Sequence, residues 1–357
     1  MTIASLQAKP FNVRLRRPFS FFAYTLKALP YALVSITTRE GIRGIGEAAL
    51  AWDVTGETQP GALAVTKLLK GVVEKKHIDS VDDVKDILEE INGAVFGNTG
   101  LKTALESALL DALGQEKQKP IFRLLKASPK KSVTFQKTFS FEELDAAIGD
   151  IAQQYASQGV SVFKFKIGKN AERELRALQK VRRACPKATL TLDGNQAWRR
   201  YQEAQRFLNK TKPMHIAWVE QPLHWDDTDG LAKLRAAGFV IMVDESCHAI
   251  ADVKRLAKAR ALDLVNMKLA KCGGLFALKE MIQFCEKEGI GFMLGDMIHS
   301  PVGTAYNLHA ATLGNFLSYD LTLPNRLHPK EKHIGKGLVF KGCTAQIPQG
   351  PGLGVTV

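Results

Sequence analysis

Between Val162 and Gly168 the chain alternates: Val162-Phe163-Lys164-Phe165-Lys166-Ile167-Gly168 sets two lysines among apolar and β-branched residues and closes on a glycine. The pattern predicts a β-strand. Residues two apart in a strand share a face, so both ammonium groups point the same way. Similar runs recur at residues 133–139, 189–192, 216–220, 240–244, 264–269, 291–294 and 316–321. Helical periodicity fills the gaps, for example at 171–183, 202–210, 249–258 and 275–286. From about Ser132 onward the chain thus reads strand, helix, strand, helix. Eight such strands fit a closed parallel barrel better than an open sheet.

Residues 1–127 read instead as mixed α+β. Segments 12–15 and 31–38 alternate like strands, and Gly41-Ile42-Arg43-Gly44-Ile45-Gly46-Glu47-Ala48 resembles the end of a meander. A polar loop, Trp52-Asp53-Val54-Thr55-Gly56-Glu57, precedes helical patterns at 61–74, 81–91 and 102–116. Lys117-Gln118-Lys119-Pro120 is a turn, because proline cannot continue a helix and disfavours a helical residue before it. The expected organisation is an α+β domain over 1–127, a barrel over 128–324, and a Gly- and Pro-rich tail over 325–357. The tail is too short to form a domain and is expected to pack back on the first.

Two cations on one strand face are costly unless something uses them. Each lowers the pKa of its neighbour, and such a lysine can serve as a base near neutral pH. The alternative is an edge strand with a solvated lysine face, since edge strands do carry lysine.

Composition changes this picture little. The 357 residues are 45% hydrophobic and 24% charged, which fits a globular protein with room for more than one domain. No apolar run is long enough to span a bilayer, and Met1-Thr2-Ile3-Ala4-Ser5 lacks the pattern of a secretion signal. Five cysteines without a CxxC pair argue against a disulfide framework or thiolate zinc and suit a reducing cytoplasm. The net charge of +13 would attract anions. Because the basic residues are scattered, a solvated surface is expected rather than a specific nucleic-acid site.

In a β/α barrel, chemistry gathers at the C-terminal strand ends. There the chain places Lys164 and Lys166, then Asp193-Gly194-Asn195, Glu220-Gln221-Pro222, Asp244-Glu245-Ser246 and Asn266-Met267-Lys268. Steps from Lys166 to Asp193, Glu220, Asp244 and Lys268 are about 24 to 27 residues, near one β/α unit. One carboxylate therefore closes each of three successive strands, with a lysine on either side. Any one of these acids alone reads as a helix cap or a surface-loop residue. Together, without His or Cys, they suit a hard divalent cation such as Mg²⁺. A metal-bound carboxylate stabilises an enediolate, and a desolvated lysine takes the α-proton. Lysines from opposite sides of the mouth could remove the proton from one face and return it to the other.

As an ordered set these motifs resemble the muconate-lactonizing subgroup of the enolase superfamily, over nearly the whole chain. The resemblance implies a modified (β/α)7β TIM-type barrel under an α+β cap. It further implies Mg²⁺ on Asp193, Glu220 and Asp244, with Lys166 and Lys268 as acid and base and Lys164 in support. Within the subgroup the chain is most similar to dipeptide epimerases, so the implied substrate is a dipeptide or an acylated amino acid. The substrate-binding set expected on that basis is Thr55, Gly56 and Glu57 of the cap loop, with Thr138, Asn195, Asp296, His299, Asp320 and Thr322. Two departures stand out. The usual Asp-x-Asp of the last strand reads Asp320-Leu321-Thr322, and His299 replaces the usual Glu after strand seven. His299 is equally readable as a structural histidine. N-acylamino acid racemase, o-succinylbenzoate synthase and muconate cycloisomerase use similar machinery. A basic polyanion-binding protein on a retired barrel is the non-enzymatic alternative. No membrane partner is expected, and assembly with like subunits is compatible with the sequence.

Overall fold

Alternating apolar positions near the N-terminus build an antiparallel meander. β1 (Ile3–Ser20) pairs with β2 (Thr25–Thr38), and β2 with β3 (Arg43–Ala48). The computed structural model describes residues 1–20, 25–322, 327–328, 331 and 336–356; the expected boundary at 324 lies outside them. β1 begins well before residue 12. Pro10 argues against a strand there, but β1 is the sheet edge, where a missing N–H is tolerated.

Three helices cover the meander: α1 (Gln59–Val73), α2 (Val81–Ala94) and α3 (Thr99–Glu116). Ser80 and Asp83 form a reciprocal cap at the start of α2. α3 is buried from Leu101 to Gly114 apart from Lys102, because it lies between the sheet and the barrel. The short α4 (Ile121–Leu124) leads into the barrel.

The expected strand 133–139 divides. β4 (Ser132–Thr134) pairs with the tail, whereas β5 (Lys137–Phe139) enters the barrel. Between them the backbone changes partners: Phe135 N donates to Cys343 O and Gln136 N to Tyr319 O, both at 2.8 Å. The barrel continues with β6 (Val162–Lys166), β7 (Thr189–Asp193), β8 (Ile216–Glu220), β9 (Ile241–Val243), β10 (Leu264–Met267), β11 (Gly291–Gly295) and β12 (Tyr319–Asp320). β5 to β12 run parallel in sequence order. The Gln136–Tyr319 bond and the Thr138 hydroxyl, which donates to Asp320 Oδ1 at 2.9 Å, join last strand to first.

Helices fill the seven connections: α5 (Ile148–Ala156), α6 (Ala171–Ala184), α7 (Tyr201–Thr211), α8 (Thr228–Ala236), α9 (Ile250–Lys258), the pair α10 (Leu269–Cys272) and α11 (Leu275–Glu288), and α12 (Pro301–Ala310). Among the described residues no helix follows β12, so the barrel is of the (β/α)7β kind.

In the tail, β13 (Phe340–Lys341) and β14 (Thr344–Gln346) form a small sheet with β4. Ile121 N donates to Gly352 O at 3.0 Å and Leu353 N to Asp111 Oδ1 at 2.8 Å, returning the tail to α3 and α4. Among the described residues no helix is long and apolar enough to cross a membrane.

Candidate active site

β6 lies between β5 and β7, with Lys164 and Lys166 only 2% and 6% exposed. The solvated-edge alternative is thereby overturned. Phe163 and Phe165 point away from the lysine face and meet Phe139 of β5. Parallel pairing sets the level of the charges: Lys166 is in register with Asp193, and Asp193 with Glu220. Beneath this layer Trp218, Met242 and Met293 fill the barrel. The polar groups thus stand on an apolar floor, where charge must be offset locally.

The offset is a lattice of ammonium and carboxylate groups. Lys164 Nζ lies 3.3 Å from Asp193, 3.1 Å from Glu220 and 2.5 Å from Asp320. Lys166 Nζ donates to Asp193 Oδ2 at 2.6 Å and to Asn195 Oδ1 at 2.5 Å. Across the barrel, Lys268 and Lys271 each donate to one oxygen of Asp244 at 2.6 Å.

Burial opposes the charge on Asp193, Asp244 and Asp320. The lysines overcome it and hold all three carboxyls below their usual range, Asp320 at about 2. Burial and Asp193 push Glu220 up to about 7, against the pull of Lys164. Burial and Asp244 push Glu245 up to about 8. The site therefore holds more carboxylates than its lysines offset. Glu245 Oε2 and Asn266 Oδ1 are, besides, buried acceptors without a partner among the described residues.

The lowering expected of the adjacent Lys164 and Lys166 does not occur at Lys164. Burial acts that way, but Asp320, Glu220 and Asp193 raise Lys164 well above the ordinary lysine value. Asp244 and Glu220 likewise raise Lys268. The acids are turned onto the ammonium groups. Among the described residues no three His, Cys, Asp or Glu side chains form a ready-made metal cluster.

A cavity of about 720 Å³ opens above this layer. Lys164, Lys166, Asp193, Asn195, Glu220 and Lys268 line it, together with Thr138, Asp296, Asp320, Thr322 and Leu15–Pro18 of β1. Lys166 and Lys268 reach it from β6 and from the end of β10, strands four places apart in a barrel of eight. Asp296 is already engaged, accepting from Ile298 N at 3.1 Å and from Thr322 N and Oγ1 at 2.7 and 2.6 Å.

The remaining expected contacts lie outside the lining. His299 is buried on Glu47 at 2.7 Å, and Glu47 also accepts from Ser300 N. Burial disfavours the charged ring, but Glu47 raises its pKa above the ordinary histidine value. His299 is therefore a strut between β3 and the barrel. Glu57 accepts from Gly100 N and Leu101 N at 2.9 and 3.0 Å and so caps α3. Thr55 turns to Ala51 O at 3.1 Å, Gly56 bends the chain at φ +73°, and His248 binds Val54 O at 2.8 Å. These interactions take the loop's polar groups away from the cavity.

Several supporting residues carry no role in the sequence reading, although Gln221 and Asn266 stand in its strand-end motifs. Asn266 donates to Glu220 at 2.7 Å. Gln221 Oε1 accepts from Asp244 N and Ser246 N at 2.9 and 3.1 Å. Asn266 shares Lys268's alternation and Lys271 follows it by one helical turn, so the signal for both was a shared face.

Fold and site together define a β/α barrel with buried lysines and carboxylates at its strand ends. The family described as Mandelate racemase / muconate lactonizing enzyme, N-terminal domain, matches residues 5–126, and Enolase C-terminal domain-like matches residues 147–357. The chain belongs to the enolase superfamily, and it is an isomerase of the racemase and epimerase kind. It is 30% identical to an L-Ala-D/L-Glu epimerase of Bacillus subtilis, over 99% of this chain and 97% of that one. The crystal structure of an N-succinyl Arg/Lys racemase from Bacillus cereus matches with a TM-score of 0.91 at 25% identity, covering 100% and 96% of the two chains. A dipeptide epimerase from Cytophaga hutchinsonii, solved with Mg and D-Ala-L-Val, matches at 0.89 and 25%, covering 100% and 96%. Membership of an enzyme family sets aside the non-enzymatic reading.

Proposed function

We propose that the protein inverts the α-carbon of an N-acylated amino acid, foremost the C-terminal residue of a dipeptide, by 1,1-proton transfer with Mg²⁺. The observation that carries this is the approach of Lys166 and Lys268 to one cavity from opposite strands, with buried carboxylates between them. The division into a cap (1–127), a barrel (128–324) and a returning tail (325–357) belongs to the same reading.

The donor set is all oxygen, and the acids outnumber the lysines that offset them. Both features fit a hard divalent cation. Asp193, Glu220 and Asp244 would hold it. When bound, Mg²⁺ supplies electrostatic stabilisation of negative charge developing on the substrate carboxylate.

The chain's own residues handle the proton. Lys268 Nζ, on Asp244 at 2.6 Å, is the acid on one face. Lys166 Nζ serves as base on the opposite face, and reversal exchanges the two roles. Lys164 holds Glu220 and Asp320 in place. β1 and the apolar floor limit water around the reacting carbon.

A dipeptide is favoured by named relatives with that activity and by Asp320 in the cavity lining, a carboxylate that a substrate ammonium group would share with Lys164. A second reading, an N-succinyl amino acid, is favoured by Arg16 and Arg17 in the cavity lining and by the racemase similarity. Incubation in D₂O with Mg²⁺, read by mass spectrometry and NMR, separates them. α-Proton exchange is expected within a panel of L-Ala-L/D-Xaa dipeptides. Exchange confined to N-succinyl amino acids would install the second reading, and no exchange in either panel would end both.

A further inference from the structure

The two lysines reach the cavity on differently supported segments. Lys268 starts α10 without a side-chain cap, and two glycines at φ +96° and +134° then turn the chain into α11, which also lacks one. Support comes from α3 in the N-terminal part of the chain. The Thr103 hydroxyl lies 2.8 Å from two carbonyl acceptors, Thr99 O in its own helix and Leu269 O, the carbonyl next to Lys268. Glu106 accepts from Leu275 N, and Tyr306 OH donates to the same carboxylate oxygen at 2.5 Å. The backbone presses closely here, since a Cβ at Gly274 would collide with the Glu106 carboxylate. Thr103 and Glu106 are 4% and 2% exposed and lie outside the cavity lining.

Lys166 is held from within the barrel. Glu174 of α6, 2% exposed, accepts from Gly168 N, Lys169 N and Asn170 N at 3.0, 2.8 and 2.8 Å through one oxygen. That gathers the turn directly after the Lys166 strand.

We infer that Thr103 and Glu106 are positioning residues for Lys268 and that Glu174 is the positioning residue for Lys166, so the two faces of the reaction have separate supports. None of the three touches substrate. The inference rests on the function proposed above. It adds that the N-terminal part of the chain sets the geometry of one proton transfer and not the other. Misplacement of a reacting group by about 1 Å costs on the order of 100-fold in rate, so loss of one support is visible on one face.

The test compares α-proton exchange in D₂O for the two diastereomers of an L-Ala-L/D-Xaa dipeptide that the wild type exchanges. Lys268→Ala identifies the isomer that depends on Lys268. Thr103→Val and Glu106→Ala are expected to slow that isomer about 10- to 100-fold while the other stays within about twofold. Glu106→Gln, which keeps the acceptor, is expected to restore the ratio, and Glu174→Ala to reverse the asymmetry. Thr103→Val is nearly isosteric and carries the test if Glu106→Ala does not fold. Equal slowing of both isomers by Thr103→Val and by Glu174→Ala would overturn the inference and leave the function standing. A wild type that exchanges neither isomer would remove the function and the inference together.

Discussion

An ammonium group gains or loses its proton according to all the charge around it, and neighbouring carboxylates outweigh a second ammonium when they are nearer. Lys164 touches three acids and Lys268 one, so both are held protonated. The proposed function assigns Lys166 and Lys268 to opposite faces of the α-carbon. Lys166→Ala is expected to abolish exchange of one stereoisomer's α-proton, and Lys268→Ala that of the other, in the D₂O assay. Equal loss of both exchanges in each variant would mean that the lysines bind substrate rather than act on separate faces. Lys271 is different, since it spans Asp244 Oδ1, Asp244 O and Asn266 O and lies outside the cavity lining. Breaking a buried ion pair from one side costs about 3–5 kcal/mol, so Lys271→Met should lower the urea midpoint markedly. An unchanged midpoint would show that Lys268 alone satisfies Asp244.

β3 and α3 meet backbone to backbone. A Cβ at Gly44 or Gly46 would lie 2.0 Å from Ala108 O or Ala104 O. Alanines at 104, 108 and 112 recur every fourth residue and share one helix face, which lets the strand approach. Gly46→Val forces the two elements apart, and overpacking of this kind costs about 1–3 kcal/mol or more. Thermal unfolding is expected to shift down, and a wild-type transition would contradict this packing account. The existence of the barrel strands was legible from alternation, but the short tail strands β13 and β14 were not. Strand extent was not: Pro10 masks the start of β1, and the change of partner at Phe135 and Gln136 has no signature in hydrophobicity.

The tail is tied to the rest of the molecule at Leu353, whose carbonyl meets His309 Nε2 at 3.2 Å and whose amide meets Asp111. Burial lowers His309 to about 4 from an ordinary 6.5. A folded-state value below the unfolded one means that its contribution is present above pH 6.5 and is lost as pH falls toward 4. The shift corresponds to about 3 kcal/mol. Asp111, raised by burial to about 6, acts in the opposite sense, favouring the fold on the acid side. The comparison is therefore between wild type and His309→Gln. The wild type's stability relative to the variant should fall by about 3 kcal/mol from about pH 7 to about pH 4 in urea titrations. Parallel curves would show that His309 has the same pKa folded and unfolded, and so is not held neutral by burial.

Strand periodicity has only two faces, and parallel pairing aligns neighbouring strands. From those facts alone the chain specified a barrel and the residues at its mouth: Lys164, Lys166, Asp193, Glu220, Asp244 and Lys268. Which charge meets which depends on side chains that converge from strands far apart in sequence. Packing therefore paired Lys164 with Asp320, gave Asp244 to both Lys268 and Lys271, and drew Glu57 and His299 into struts away from the cavity. The physical reason is burial: once water is excluded, each charge takes the nearest opposite charge or donor that the fold supplies, and that neighbour is set in three dimensions.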